Sequence, residues 1–515
     1  MAAETGGAVA RGVAWMLLAR VADRVGGILC IAITARFLTP TDFGMFQMAL
    51  SVMALVELFA LFGFDWALIR HPNPQRVHFD TAFTLQLIVG VAGCLVVIAL
   101  AYPFAAAYRT PALVEPIMVM SLLPLVTGFN NLAIAHLRRE MRFEADFWRM
   151  LVPRIASMVA GIVLAIWWQS YWALIAGGFV LRAAFVVMGY VLHSYRPRLS
   201  LAAWRELMGF SMWMQLNNFI EGLRLRVGDL IVGRALGSHQ LAVYNMSNEV
   251  ASLPISEFVG GVNSAVFPKY AKLQDELEQL KAAYLDILSL TLLIGLPIAC
   301  GLAMVAPSAV RVLLGPNWGE AVPLIQIVAF GALANAVASN SGFVLMAADK
   351  PRLNTWLSGL TLLLLVYLLL FLTHKHGLVG ASWAFATAAF LSLPLHFLVL
   401  RRIVGIRLRE IVRGGWRSIA AAVVMAAALA PIVPDSLPPN FTAAFTALTL
   451  DMTVGVLVYF ATVGVLWVLS GRPDSIERLI FLTLVDITTR TAQRIGGWRI
   501  VPRMSGERRG QTPLP

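Results

Sequence analysis

ARFLTPTDFGMFQM (Ala35–Met48) returns 198 residues later as GRALGSHQLAVYNM (Gly233–Met246). Arg36 matches Arg234, Leu38 matches Leu236, Phe46 matches Tyr244 and Met48 matches Met246. Each copy follows an apolar helix that carries charge. The first has Arg20, Asp23 and Arg24 on one face, at the i+3 and i+4 spacings that bring helical side chains together. The second has Asn217, Asn218, Glu221 and Arg224 on one face, with Glu221 at the position of Asp23. A charge deep in an apolar helix costs roughly 2.5–3.5 kcal/mol, so such residues turn toward a bundle interior or a wet cavity. Two such helices in two related halves are the plan of a transporter.

Composition agrees with a membrane chain. Of 515 residues, 59% are hydrophobic and 13% charged, with a mean hydropathy of +0.76. A soluble domain needs a more polar exterior. Apolar runs of about 20 residues recur from end to end, which makes the fold an all-α polytopic membrane protein. We count fourteen spans: 12–36, 42–69, 81–103, 113–137, 147–168, 171–193, 207–234, 240–267, 282–306, 321–347, 353–373, 377–400, 414–433 and 442–470. The repeat divides them into an N-lobe (1–198, spans 1–6) and a C-lobe (199–403, spans 7–12). An additional helix pair (404–471) and a basic tail that starts as an amphipathic helix (472–515) follow. Met1–Ala10 has no basic residue, and the first span lacks a signal-peptide cleavage pattern.

The net charge of +12 is a topology signal. With the N-terminus in the cytoplasm, inner loops carry 20 Lys or Arg and outer loops five (Arg36, Arg109, Arg234, Arg311, Lys375). The positive-inside rule then puts both termini in the cytoplasm of a multi-pass inner-membrane protein. Membrane lipid is the natural partner of the surplus; nucleic acid is excluded, since no groove-reading motif accompanies it. Cys30, Cys94 and Cys300 lie singly in spans and make no metal or disulfide pattern. No phosphate loop, metalloprotease motif or nucleophile elbow is present, and no outer loop could house a catalytic domain, so the chain does not read as an enzyme.

Arg20, Arg24, Arg224 and Arg226 face only Asp23, Glu221 and Asp229, a cationic surplus suited to an anionic headgroup, because guanidinium offers paired donors and stays charged when desolvated. The plainer alternative is a set of ion pairs holding the lobes together, with Arg226 and Asp229 as one pair. Asn217, Asn245 and Asn248 are expected to hydrogen-bond sugar hydroxyls, though amide residues also serve helix contacts. Asp23, Glu221, Asp229 and Glu57, an isolated acid of the second span, are candidates to take a proton or sodium ion. No cofactor is expected beyond coupling to such a gradient. Thr127, Asn130 and Asn131 should share a face of the fourth span, and Asn335, Ser339 and Gly342 one of the tenth. Pro124, Pro153, Pro254, Pro297, Pro323 and Pro394 interrupt spans, as kinks or hinges. Trp167, Trp168, Tyr171 and Trp172 should form an anchoring belt.

The two repeat copies, with AHLRREMRFEADFW (Ala135–Trp148), RALGSHQLAVYNMSNEVASLP (Arg234–Pro254) and HGLVGASWAFA (His376–Ala386), resemble the polysaccharide-biosynthesis flippases of the multidrug/oligosaccharidyl-lipid/polysaccharide exporter superfamily. The resemblance covers residues 10–470. It implies two six-helix lobes in a V, pseudo-symmetric and moving by alternating access, and an undecaprenyl-pyrophosphate-linked oligosaccharide as substrate. O-antigen, exopolysaccharide or capsule assembly would follow, with a polymerase and other assembly proteins as partners. Arg20, Arg24 and Arg224 suit the pyrophosphate. The rival readings are a cation-coupled multidrug antiporter of the same fold and a flippase for a peptidoglycan lipid precursor.

Overall fold

The computed structural model describes residues 23, 26–60, 68, 75–132, 143–204, 212–273, 276–348, 350–433 and 437–471. Among them every regular element is helical. The spans are α1 (Gly26–Phe37), α2 (Pro40–Ala60), α3 (Arg76–Ala107), α4 (Pro111–Gly128), α5 (Phe143–Trp168) and α6 (Trp172–Leu192). The second set begins with α7 (Met212–Leu236), α8 (Ser238–Lys272), α9 (Leu277–Met304) and α10 (Ala321–Ala347). Pro351–Val404 is two helices, α11 and α12, meeting at Gly377, where φ is +58°. That left-handed value favours glycine, which has no Cβ to clash. α13 (Leu408–Leu429) and α14 (Phe441–Leu469) complete the fourteen. α7 and α8 are more polar than the other spans.

The repeat is exact in the backbone: α2 starts at Pro40 and α8 at Ser238, 198 residues apart. The first start is a capping box with proline at the first helical position. Thr39 N–H donates to Asp42 Oδ2 at 3.1 Å, and Asp42 N–H donates to Thr39 Oγ1 at 3.3 Å. The second uses Gly237 at φ +90°. The two starts then cross. A Cβ on Gly44 would lie 1.8 Å from the Ser238 carbonyl oxygen, so the backbones touch and only glycine fits. Around this seam Trp318 is fully buried. It packs edge-on to Phe43 at 5.4 Å, and its indole N–H donates to the Ala35 carbonyl at 3.4 Å. Arg36 reaches across to the Val312 carbonyl (3.2 Å) and stacks on Phe441 (4.9 Å).

At the opposite end the segment between α6 and α7 is strapped to the start of α3. Asp80 accepts from the Tyr195 hydroxyl and from the Arg198 N–H (2.9 Å). Thr84 accepts from Ser200 N–H at 2.9 Å, and Asn131 donates to the carbonyls of Gly189, His193 and Tyr195. Burial pushes the Tyr195 hydroxyl above its ordinary pKa, and its bond to the Asp80 carboxylate adds to the rise. The strap therefore keeps its donor at physiological pH.

Several expectations need correction. α4 ends at Gly128, so Asn130 and Asn131 do not continue a helical face with Thr127. Pro323 stands in the first turn of α10 and interrupts nothing. Trp167 and Trp168 are exposed, but Tyr171 and Trp172 pack on the core. The tail expected to form an amphipathic helix lies outside the described residues.

Pro297 has no N–H, which frees the Leu293 carbonyl one turn earlier in α9. The Tyr459 hydroxyl of α14 donates to that carbonyl at 2.8 Å. A carbonyl left unpaired in the bilayer interior is costly, so this bond docks the additional pair on the C-lobe. Tyr459→Phe should destabilise the detergent-solubilised protein by about 1–2 kcal/mol. Adding Pro297→Ala should recover most of that loss in a thermal melt, because the carbonyl regains its helical partner.

Candidate substrate cavity and its charged groups

A cavity of about 750 Å³ opens between α1, α5 and α6 on one side and α8 and α9 on the other, with α13 and α14 forming a further wall. Its lining is overwhelmingly apolar, including Ile28, Phe46, Leu181, Val250, Ile294 and Phe460. Among the described residues, four carboxylate or guanidinium side chains line it: Asp23, Arg154, Glu249 and Asp451. Arg154 Nε lies 3.0 Å from Asp23 Oδ1. A Cβ on Gly27 would come within 2.7 Å of the Arg154 guanidinium, so the small residues of α1 make room for it. α5 and α6 close up in the same way: a Cβ on Gly177 would stand 3.5 Å from the Gly161 Cα, and Ser157 donates to the Gly177 carbonyl at 2.8 Å.

Asp23 is thus the only sequence-predicted site residue shown on this lining. Arg20, Arg24 and the Asn217 side chain lie outside the described residues. Arg224, Arg226, Asn245 and Asn248 do not line the cavity. Arg224 Nε donates to Glu221 Oε2 at 2.8 Å and its Nη1 to Asn335 Oδ1 at 3.2 Å, with His396 of α12 close to the pair. This cluster lies inside the C-lobe. Arg226 pairs with Asp229 at 3.5 Å, as the spacing suggests. Asp229 is buried, also hydrogen-bonded by Asn245 and flanked by Tyr108 and Tyr244. Asn248 donates to the Tyr244 carbonyl of its own helix at 3.0 Å.

Two expectations change. Glu57 is not isolated: Arg182 Nη1 of α6 donates to it at 2.6 Å and to Thr127 Oγ1 at 3.3 Å. The cationic surplus is absent from the described part of the site, where Arg224 and Arg226 each have a carboxylate and the cavity lining holds three acids to one base. Arg154, Arg182 and Asp451 went unread, although each shows the signal that singled out Asp23, a charge well inside a span.

The sequence profile described as "Polysaccharide biosynthesis protein" matches residues 33–323. The chain belongs to that family. Proteins similar to it include the lipopolysaccharide biosynthesis protein WzxC of Escherichia coli (strain K12). The two are 23% identical over 422 residues, covering 79% of this chain and 83% of the relative. The succinoglycan biosynthesis transport protein ExoT of Rhizobium meliloti (strain 1021) is 26% identical over 327 residues, 62% of this chain and 65% of ExoT. In structure the family member resembles the lipid II flippase MurJ in an inward closed conformation, with a TM-score of 0.71 and 12% identity over 88% of this chain and 99% of that one. An inward-facing MATE multidrug transporter follows at 0.61 and 13%, over 74% of this chain and 94% of that one. The fold is therefore the two-lobed, V-shaped fold of those two proteins, a multi-pass helical membrane architecture.

The Glu57–Arg182 pair ties α2 to α6 within the N-lobe. Removing one partner strands the other charge in the bundle, which costs more than removing both. Arg182→Ala should lower thermal stability more than the Glu57→Gln, Arg182→Ala double variant. The coupling energy in that cycle should be on the order of 1 kcal/mol, since both side chains retain some exposure.

Proposed function

We propose that this protein is a flippase for undecaprenyl-pyrophosphate-linked oligosaccharide repeat units. It would move them across the bacterial inner membrane for O-antigen, exopolysaccharide or capsule assembly. The single observation that carries the reading is the cavity: a long apolar wall with an ion pair, Asp23–Arg154, on its lining. An amphiphile with a prenyl chain and a charged head needs both, and family membership supplies the polysaccharide.

In this reading the N-lobe (1–198) and C-lobe (199–403) rock about the seam at Gly44 and Ser238. Both termini face the cytoplasm. The headgroup enters from that side while the tail stays among apolar side chains. Arg20 and Arg24, the cations read on the first span, and Arg154 on α5 grip the phosphates. Arg224 is held ready by Glu221 and Asn335. Asn217, Asn245 and Asn248 serve sugar hydroxyls if the lobes part, and a polymerase receives the product. A proton or sodium ion on Asp23, Glu221, Asp229 or Glu57 biases the exchange. Binding alone cannot drive it, because a ligand shifts an equilibrium only by its differential affinity for the two states.

The three acids on the described lining favour a cation near the substrate path, which also suits the drug-antiporter reading. We assign that cation to coupling, because the family assembles polysaccharide. The expected outcome in cells lacking the endogenous transporter is that the wild-type gene restores surface polysaccharide. Arg154→Ala and Arg24→Ala should each reduce it at least about tenfold, or about 1.4 kcal/mol of lost binding, with normal membrane levels. Full polysaccharide in both variants would remove the anion grip.

A further inference from the structure

Asp451 has no part in the scheme above, yet it is the least expected side chain in the molecule. It sits on α14, outside the two repeats, ten residues and so about 15 Å from the first residue of the helix. That depth is near the middle of a hydrocarbon core about 30 Å thick. Its residue is 2% exposed, it borders the substrate cavity, and its Oδ2 has no hydrogen-bond partner among the described residues. A structural carboxyl between membrane helices would be expected to use its oxygens on a neighbour. This one leaves an oxygen unused beside an opening.

The neighbouring charges are engaged or remote along the helices. On the short helix Ala306–Leu313, Arg311 donates to the Pro439 carbonyl at 2.7 Å, before the start of α14. On α9 and α13, Lys281 pairs with Glu410 at 2.8 Å. Glu278, Asp286, Arg409, Arg413 and Arg417 belong to the same far halves of those helices. Across the cavity stand Asp23 with Arg154, and Glu249. Next to Asp451 the contacts are apolar: one turn on, a Cβ at Gly455 would meet Leu429 Cδ1 at 3.2 Å and Met425 Sδ at 3.6 Å. An ionised carboxylate is poorly housed there, and a neutral acid is well housed.

We propose that Asp451 is a proton-carrying carboxyl that couples the proton gradient to movement of the lobes. The inference rests on the transporter reading and adds a site on the additional helix pair. While α14 closes the cavity wall, Asp451 holds its proton. When the cavity opens and wets, the O–H bond breaks, the proton passes to water, and the carboxylate stays solvated until reprotonation lets the wall close. No covalent intermediate and no second oxygen ligand are needed, which favours a proton over a metal cation.

Dicyclohexylcarbodiimide, an apolar reagent selective for protonated carboxyls in apolar surroundings, tests this on the full-length protein in vesicles without any substrate. Peptide mass spectrometry should find Asp451 modified at about pH 6, with labelling at least about tenfold lower at about pH 9. Sodium chloride at constant pH should leave labelling unchanged. In cells, Asp451→Asn should cut surface polysaccharide at least about tenfold at normal membrane levels, and Asp451→Glu should restore most of it. An unlabelled Asp451, labelling independent of pH, protection by sodium, or full export by Asp451→Asn would each overturn the proposal. Labelling that titrates in a protein moving no lipid-linked saccharide would leave the proton site standing and sink the flippase reading instead.

Discussion

The backbone contact between Gly44 and Ser238 sets the geometry of the whole molecule. Two helices with equivalent starts cross without a side chain between them, so the halves are held at one end by a contact that cannot be widened by rotamer change. Trp318, Phe43 and the Arg36 bonds build outward from that crossing. The cavity lies away from that crossing, between α1, α5 and α6 on one side and α8 and α9 on the other. A joint at one end and an opening elsewhere are what a two-state lobe movement requires, since packed interfaces switch between arrangements rather than deform continuously.

Among the described residues, several charges inside spans are met by partners distant in sequence. Glu57 meets Arg182 across 125 residues, and Arg224 meets Asn335 across 111. Such pairs lower the insertion cost of each member and fix helix rotation. Arg154 and Asp23 follow the same rule, but on the wall of a cavity. That difference in setting separates a structural pair from a candidate binding pair better than residue type does.

The number and order of the helices were legible in the sequence because hydropathy and the 198-residue repeat agree, while the ends were not: α4 stops at Gly128, short of the expected residue 137. α7 and α8 were counted with the other apolar runs, although they are the most polar of the fourteen. Local pairs were legible too: Arg226 with Asp229 and Arg224 with Glu221 follow from helical spacing. Arg182 as the partner of Glu57 and Arg154 as the partner of Asp23 were not, because no local period encodes a contact between separate spans. The face drawn through Asn130 and Asn131 failed because the helix stops at Gly128, where Asn131 turns to hold the α6–α7 segment. The docking of α14 was hidden for a related reason: Pro297 read as a kink, while the carbonyl it frees is met by Tyr459 across 166 residues.

Purified protein in vesicles with a fluorescent undecaprenyl-pyrophosphate-linked saccharide, quenched from outside by a membrane-impermeant reductant, tests the central claim most directly. Transport between lobes predicts that quenching proceeds beyond the outer-leaflet fraction seen in protein-free vesicles, and that prenyl-free sugar phosphate stays on its own side. Quenching that stops at the outer-leaflet fraction in vesicles holding folded protein would contradict it.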